Sequence, residues 1–367
     1  MALILTFLGK GGTGRTTIAI AAAKRLASQG QRVLFASQES APVLECLLGL
    51  PVATEAQEIE PNLHCVQFQT TQLLEKSWEE VKQLEAQYVR TPFFKEVYGQ
   101  ELGVLPGMDV ALSMNAVREY NASGRYDVIV YDGASARETL RILGTPEIFG
   151  WYLRRFRQVI ADSDLGRALS PFVQPVTNAV LNVDWSQNDF SEPTNRLNSL
   201  LDEGKNAIAD PNRMAGYLVT TADPAAIAAA RYWWGSAQQV GLTVGGVLLN
   251  RADSPEAIAS EFDPLNATAI PQRQGDSWQS AIDALPNLRQ AANAPKPIVV
   301  DLQKRQVRLF LPGFDKKQVK LMQYGPEVTI EAGDQRRNIF LPDALSGKAV
   351  TSAKFQDRYL TISFAER

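Results

Sequence analysis

Residues 3–16 carry the stretch that decides the predicted fold, Leu-Ile-Leu-Thr-Phe-Leu-Gly-Lys-Gly-Gly-Thr-Gly-Arg-Thr. A short apolar run passes directly into a glycine-rich loop, and the alanine-rich residues 18–23 behind the loop favour a helix. A second apolar run follows at residues 32–37. Strand, glycine loop, helix and strand in this order are typical of a βαβ unit in a parallel sheet.

The glycine loop matches a phosphate-binding pattern. Residues 9–16 fit the P-loop motif at every position but one, because Arg15 stands where the motif has a lysine. Glycines let backbone N–H groups converge on phosphate oxygens, and the N-terminus of the following helix favours negative charge. We therefore predict a site for ATP or ADP with Mg²⁺. Its residues are Gly9, Lys10, Gly11, Gly12, Thr13, Gly14, Arg15, Thr16 and Thr17.

Later apolar runs extend the α/β pattern. Further strands are expected at residues 128–131, 216–220 and 244–249, with helical patterns between them. Such continuous apolar runs favour strands buried on both faces, as in a mostly parallel sheet flanked by helices. We therefore predict a P-loop NTPase domain of the α/β class over residues 1–292.

Two long segments interrupt this alternation. Residues 70–116 and 148–209 are mostly helical in pattern and lie between core strands. We expect them to be helical insertions on the side of the sheet where the strands end, since ligands and partners usually bind there.

The pattern changes towards the C-terminus. Residues 291–297, Ala-Ala-Asn-Ala-Pro-Lys-Pro, have the composition of a linker, which we place at residues 293–300. Beyond it, apolar and polar residues alternate in short runs separated by turn residues. Residues 301–367 are therefore predicted to form a small all-β sandwich.

Composition excludes several classes of function. The 37 basic and 40 acidic residues give a net charge of −3, whereas nucleic-acid-binding proteins usually carry a basic surface, so no nucleic-acid partner is expected. Two cysteines, Cys46 and Cys65, and the single His64 exclude a disulfide framework and a histidine-rich metal site. Without a signal-peptide pattern or an apolar run of about 18 residues, we expect a cytoplasmic protein with no transmembrane segment.

Three further segments carry a family resemblance. Residues 37–42 fall where that family has its first switch, residues 105–109 resemble its Pro-Gly-hydrophobic-Asp segment, and residues 132–141 resemble its second switch. Together with the phosphate loop, they resemble the family of the arsenite-pump ATPase subunit and of the ATPase that targets tail-anchored membrane proteins. The resemblance extends from about residue 2 to residue 290.

The resemblance implies catalytic roles and a dimer. Lys10 marks the subclass in which this lysine reaches across a dimer to the partner's nucleotide, so a homodimer is expected. Lys10 and Arg15 would neutralise phosphate charge, and Glu39 would orient the attacking water. The family's zinc-linked Cys-x-x-Cys clamp is absent, so the dimer would close through other contacts.

The resemblance also implies contacts to the ligand. Thr16 and Asp132 would hold Mg²⁺, and Asn250, at the end of its strand, would contact adenine. Arg15 keeps a positive charge, but its planar fork differs from the point charge of a lysine. Glu39 stands in the place of an aspartate. We therefore expect binding to be retained and hydrolysis to be slow, since losing about 3 kcal/mol of transition-state stabilisation slows a reaction about a hundredfold.

The C-terminal segment resembles a second family. Residues 311–321 are similar to the opening of an α-crystallin (small heat-shock) domain, and residues 341–344 and 353–362 to its closing strands, although Arg358 replaces the usual glycine. The combination resembles a divergent branch found in photosynthetic lineages. It implies a docking or chaperone-like module.

These features predict a homodimeric ATPase whose nucleotide state binds and releases a protein client. The main alternative is an ATP-binding scaffold or chaperone that hardly hydrolyses ATP, because of Arg15. A DNA-partitioning ATPase shares the Lys10-type loop, but the acidic composition argues against it. Arsenite binding and a cluster-carrying electron-transfer protein would both need grouped cysteines, which the sequence lacks.

Overall fold

A central eight-stranded sheet organises the first three quarters of the chain. We describe a computed structural model that covers residues 1–88, 104–162 and 191–366. The strands of this sheet are β1 Leu3–Leu8, β2 Val33–Ser37, β3 Gln57–Glu60, β4 Leu63–Gln67, β5 Val128–Asp132, β6 Met214–Thr220, β7 Val244–Asn250 and β8 Ala267–Ile270. Their order is β3-β4-β2-β5-β1-β6-β7-β8. All neighbours pair in parallel except β3 and β4, so the predicted mostly parallel sheet is confirmed.

Helices cover the sheet. They are α1 Arg15–Ser28, α2 Ala41–Leu48, α3 Thr70–Tyr88, α4 Met108–Ala122, α5 Ala136–Asp162, α6 Ser191–Ala209, α7 Pro224–Gln239, α8 Glu256–Phe262 and α9 Gln279–Ala284. The first helix packs its buried alanines and isoleucines against β1 and β5, which lie at the centre of the sheet and are almost fully buried. None of the helices in the described part of the chain combines the length and the hydrophobicity of a membrane span.

Helices occupy the described parts of both predicted insertions. In the first, α3 and α4 contact each other, and in the second, α5 contacts α6. Residues 89–103 and 163–190 of these insertions lie outside the described part of the chain. Helix α5 begins four residues after the end of β5 and continues for 27 residues.

Two small antiparallel sheets follow, which confirms the predicted all-β unit. One contains β9 Ile298–Asp301, β10 Gln306–Phe310, β14 Val350–Gln356 and β15 Tyr359–Phe364, in the order β14-β15-β10-β9. The other contains β11 Val319–Tyr324, β12 Glu327–Ala332 and β13 Gln335–Phe340 in sequence order. Strand β9 begins inside the segment predicted as linker, because Ile298 and the two valines after it form a β-branched run that pairs with β10.

The β-sandwich packs on helix α7 of the larger domain. Trp234 of α7 is 1% exposed, and its ring centroid lies 5.5 Å from that of Phe310. Gly235 allows the close approach, because a Cβ there would lie 2.3 Å from the carbonyl oxygen of Pro312 and 2.5 Å from the ring of Phe314. The two hydrophobic cores are therefore continuous at this helix.

Helix α5 also contacts the sandwich, at three points along its length. Arg141 donates to the carboxylate of Asp334 at 3.0 Å. Farther along, Glu147 pairs with Arg337, and Nε1 of Trp151 donates to Glu327 at 2.9 Å. The helix that follows β5 is thus joined to the C-terminal domain by polar contacts.

Candidate nucleotide-binding site

The glycine loop connects β1 with α1 at the edge where the parallel strands end. The hydroxyl of Thr13 donates to the carbonyl oxygen of Lys10 at 2.8 Å, and the carbonyl oxygen of Thr13 accepts from Nδ2 of Asn250 at 2.8 Å. Gly14 has a φ of +90°, and a Cβ there would lie 2.2 Å from Nδ2 of Asn250. Only glycine fits both the backbone and the contact.

Asn250 therefore supports the loop from the end of β7. Its side chain is buried, and its Oδ1 accepts from the backbone N–H of Arg251 at 3.0 Å. No pattern in the sequence predicts this structural contact, and the adenine contact predicted for Asn250 stays a prediction.

The other predicted loop residues surround this support. Gly9 is buried at the end of β1, whereas Lys10, Gly11 and Gly12 are exposed. Thr17, in the first turn of α1, is partly buried. The loop therefore presents its middle residues and the amine of Lys10 to solvent, while both of its ends are fixed to the sheet.

Asp132 ends β5 with a carboxylate that is 2% exposed. Its Oδ2 accepts from the hydroxyl of Ser37 at 2.8 Å, because the parallel register places Ser37 beside it at the end of β2. Burial raises the pKa of Asp132, opposed by hydrogen bonds from Ser37 and Thr16 and by the charge of Arg15. Thr16 and Asp132, the two residues predicted to bind Mg²⁺, therefore meet beside the loop.

The donor set of this site fits magnesium. Mg²⁺ in nucleotide sites is held through one or two carboxylates, hydroxyls, water and phosphate oxygens, and not by an all-protein cage. Within residues 1–88, 104–162 and 191–366, no group of three or more His, Cys, Asp or Glu side chains is arranged to hold a metal ion. A site with Asp132 and Thr16 as its protein ligands would thus depend on the nucleotide for the rest.

Glu39 lies two residues beyond the end of β2. Its backbone N–H donates to the hydroxyl oxygen of Ser37 at 3.0 Å, so the same hydroxyl connects Glu39 with Asp132. Its carboxylate accepts from the N–H of Ser40 at 2.8 Å. The charge of Glu39 is close enough to contribute to the raised pKa of Asp132. The segment predicted as the first switch and the buried carboxylate are therefore directly linked through Ser37.

Arg15 contacts the segment predicted as the second switch. One guanidinium nitrogen donates to the carbonyl oxygen of Gly133 at 3.1 Å, and the other to that of Ala134 at 2.9 Å. These residues follow Asp132 in the loop between β5 and α5. The phosphate role predicted for Arg15 stays a prediction, because in this structure its two terminal nitrogens bond to backbone carbonyls.

Gln38 is a site residue that sequence analysis missed. Its Oε1 accepts from the hydroxyl of Tyr131 at 2.7 Å and from the N–H of Ala134 at 3.1 Å, and its Nε2 donates to the carbonyl oxygen of Asp109 at 3.3 Å. It thereby joins three segments that were recognised separately. The one feature of the sequence that could have identified Gln38 as a site residue is its position next to Glu39.

Cys65 and the single histidine, His64, lie in β4 and are not among the residues that surround the phosphate loop. Burial raises the pKa of the Cys65 thiol to about 12, which keeps it protonated and unreactive. His64 lies in β4, and its ring packs against the edge of Tyr126 with 5.5 Å between centroids. Both side chains serve packing.

A glycine loop between the first strand and helix, beside a buried carboxylate on a neighbouring strand, defines the class of P-loop nucleotide-binding proteins. Within this class, the chain belongs to the anion-transporting ATPase family, whose sequence profile matches residues 2–274. A second profile, described as the HSP20-like domain found in ArsA, matches residues 303–364.

Individual relatives match to different extents. A Prosthecochloris vibrioformis protein named "Putative arsenical pump-driving ATPase" is 25% identical over 98% of this chain and 95% of its own length. Protein Rv2184c of Mycobacterium tuberculosis is 28% identical over 99% of this chain and 96% of its own. The ATPase GET3 of Malassezia globosa is 28% identical over 45% of this chain and 47% of its own.

Proposed function

We propose that this protein is a homodimeric, Mg²⁺-dependent ATPase that uses its nucleotide state to bind and release a protein client in the cytoplasm. The observation that carries the proposal is the contact between Ser37 and Asp132. It brings the ends of β2 and β5 together beside the phosphate loop. An ionised carboxylate that is 2% exposed is costly unless a cation compensates it. Mg²⁺ bound to a nucleotide would supply that cation.

The described side chains fit distinct roles in hydrolysis. Bound Mg²⁺ would neutralise phosphate charge, held on the protein side by Thr16 and Asp132. Lys10, exposed at the middle of the loop, is available to a nucleotide in its own or a partner subunit. Glu39 would accept a hydrogen bond from the attacking water, because its carboxylate is partly exposed and close to Asp132. Asn250 would contact adenine while it supports the loop.

The client part of the proposal rests on the connection from the switch to the rest of the molecule. Helix α5 begins at Ala136, within the segment predicted as the second switch, and reaches the HSP20-like domain through Trp151 and Glu327. A displaced switch would therefore move a helix of the second insertion, the region where we place the client surface. The Prosthecochloris relative agrees with the proposed link to photosynthetic lineages, but the Mycobacterium tuberculosis relative matches the chain over nearly the same length.

One experiment tests nucleotide binding and hydrolysis together. We expect calorimetry to show ATP and ADP binding with Mg²⁺, and a slow steady-state hydrolysis that Glu39→Gln lowers about 100-fold. The matched control is Glu45→Gln, which removes an exposed carboxylate on the adjacent helix α2 and should leave the hydrolysis rate unchanged. A protein that binds neither nucleotide would contradict the proposal.

The dimer and the client need separate measurements. Light scattering should show a dimer in the presence of ATP, and Lys10→Ala should shift it towards monomer. This protein should suppress the aggregation of a heat-unfolded test protein. The extent of suppression should differ between its ADP-bound and ATP-bound states. Equal suppression in both states would exclude nucleotide-controlled release.

The alternative is an ATP-binding scaffold with little hydrolysis. The contacts of Arg15 with Gly133 and Ala134 favour it, because a guanidinium held by carbonyls contributes less charge to the phosphates. Tight binding without turnover in the native protein, and a large gain of hydrolysis in Arg15→Lys, would support the scaffold.

A further inference from the structure

The two contacts of Arg15 join the phosphate loop to the second switch. Arg15 is the first residue of α1, and its side chain reaches residues 133 and 134, more than a hundred positions later in the chain. The planar guanidinium can donate to two successive carbonyls at once, whereas a lysine ammonium is a compact point donor. The residue that departs from the P-loop pattern is therefore the one that forms this connection.

The same segment of the second switch is held from the opposite side. The N–H of Ala134 donates to Oε1 of Gln38, and the carbonyl of Ala134 accepts from Arg15. Gln38 is itself fixed by the hydroxyl of Tyr131 at 2.7 Å. The peptide groups on both sides of Ala134 are thus bonded to the phosphate loop and to the first switch.

The start of α5 follows directly on this arrangement. After Ala134, the hydroxyl oxygen of Ser135 accepts from the backbone N–H of Glu138, and the carbonyl oxygen of Ser135 accepts from that of Thr139. A displaced Ala134 would move the residue that begins the helix. Arg15 is therefore connected to the N-terminus of α5 through Gly133 and Ala134, without touching the helix.

We propose that Arg15 is a positioning residue for the second switch, and that it acts on the ATPase reaction through Gly133 and Ala134 and not as a ligand of the phosphates. Lys10 and the backbone N–H groups of the loop then supply the phosphate contacts. This inference deepens the proposed function and rests on it only where nucleotide binding is measured. The state of the switch can be examined in the protein without nucleotide.

The test combines Arg15→Lys and Arg15→Ala with hydrogen exchange and calorimetry. Without nucleotide, peptides that cover residues 131–140 should exchange about tenfold faster in both variants than in the native protein, because neither variant provides a fork for two carbonyls. The dissociation constant of ADP with Mg²⁺ should stay within about fivefold of the native value in Arg15→Ala. In both variants, kcat for hydrolysis should fall by a larger factor than the factor by which KM changes. The reason is that the substitutions affect the switch and not the binding step.

A second arginine provides the control. Arg25, on the same helix α1, also donates to two backbone carbonyls, those of Ile282 and Leu285, away from the phosphate loop. Arg25→Lys makes the same chemical change, and it should leave both the exchange of residues 131–140 and the affinity for ADP unchanged.

Two results would overturn the inference. One is unchanged exchange at residues 131–140 in both Arg15 variants. The other is a loss of ADP affinity of a hundredfold or more in Arg15→Ala, which would make Arg15 a phosphate ligand. If the native protein binds no nucleotide, the proposed function fails, but the comparison of exchange without nucleotide still decides whether Arg15 positions the switch.

Discussion

Nε of Arg337, on β13, lies 3.5 Å from Oε2 of Glu147, on α5, and the two side chains are only 10% and 21% exposed. Arg337 also donates from NH1 to the carbonyl oxygen of Gln238 at the end of α7. One guanidinium therefore joins the C-terminal domain to α5, the helix that begins within the predicted second switch, and to α7, the helix on which that domain packs. Arg337 therefore contacts two helices of the larger domain at once.

Arg337→Met should lower the free energy of unfolding by about 2 kcal/mol, because it leaves the largely buried Glu147 without its partner charge. Glu147→Gln should lower the free energy of unfolding less in the Arg337→Met variant than in the native protein. We expect a coupling free energy of about 1 kcal/mol between the two substitutions. Urea denaturation of the native protein, both single variants and the double variant measures this coupling. Strictly additive effects would show that the ion pair contributes nothing.

Ser37→Ala should destabilise the protein by about 2 kcal/mol, because the buried carboxylate of Asp132 would lose a hydrogen-bond donor. The N–H of Glu39 would lose its acceptor at the same time. Ser40→Ala is the control, since this exposed serine should change stability by less than about 0.5 kcal/mol. Thermal unfolding without nucleotide compares the three proteins, and equal midpoints would contradict this account of the Ser37–Asp132 contact.

Asp127→Asn should reduce stability in a pH-dependent manner. The guanidinium and backbone N–H of Arg32 hold the pKa of Asp127 at about 2, below the ordinary value of 3.8. A lowered pKa in the folded state gives stability that is present above pH 4 and is lost as the pH falls towards 2. Both side chains are about half exposed, so we expect about 1 kcal/mol or less at pH 7.

Urea denaturation between pH 2 and pH 7 tests this prediction. The native protein and Asp127→Asn should converge in stability as the pH falls from about 4 to 2, whereas Asp343→Asn, an exposed control, should differ little from the native protein throughout. A difference between native protein and Asp127→Asn that stays constant down to pH 2 would assign the effect to something other than the charge.

Gly235→Ala should weaken the packing of the C-terminal domain. The added methyl would lie 2.3 Å from the carbonyl oxygen of Pro312, so the domain must shift, at a cost of about 1–3 kcal/mol. Gly204→Ala, in α6, places its methyl 3.3 Å from Pro146 and should be close to neutral, since alanine favours a helix. Limited proteolysis near residues 291–297 should be faster in Gly235→Ala alone, and equal cleavage would refute the close contact.

Local patterns were sufficient to predict much of the fold. The apolar runs located β1, β2, β5, β6 and β7, because buried parallel strands are continuous in hydrophobicity. They missed β3, an edge strand of sequence Gln-Glu-Ile-Glu, and the four-residue β8. An edge strand buries little of its surface, so its sequence need not differ from that of a loop.

The site was predicted in its parts and not in its connections. Motif order singled out Thr16, Asp132 and Glu39, since each belongs to a short local pattern, and their roles stay predictions. The bonds of Arg15 to the second switch and of Asn250 to the loop join residues more than a hundred positions apart. Such contacts depend on strand order and register, which no local pattern encodes.

The absence of a side chain at Gly235 also has a consequence for inheritance. The C-terminal domain fits α7 because backbone meets backbone there, so a copy of this domain joined to a related ATPase with a larger residue at the corresponding position would find no room to pack. Recombination between relatives would therefore have to transfer the helix together with the domain. The two parts are expected to diverge as one heritable unit, with changes on one side of the contact matched by changes on the other.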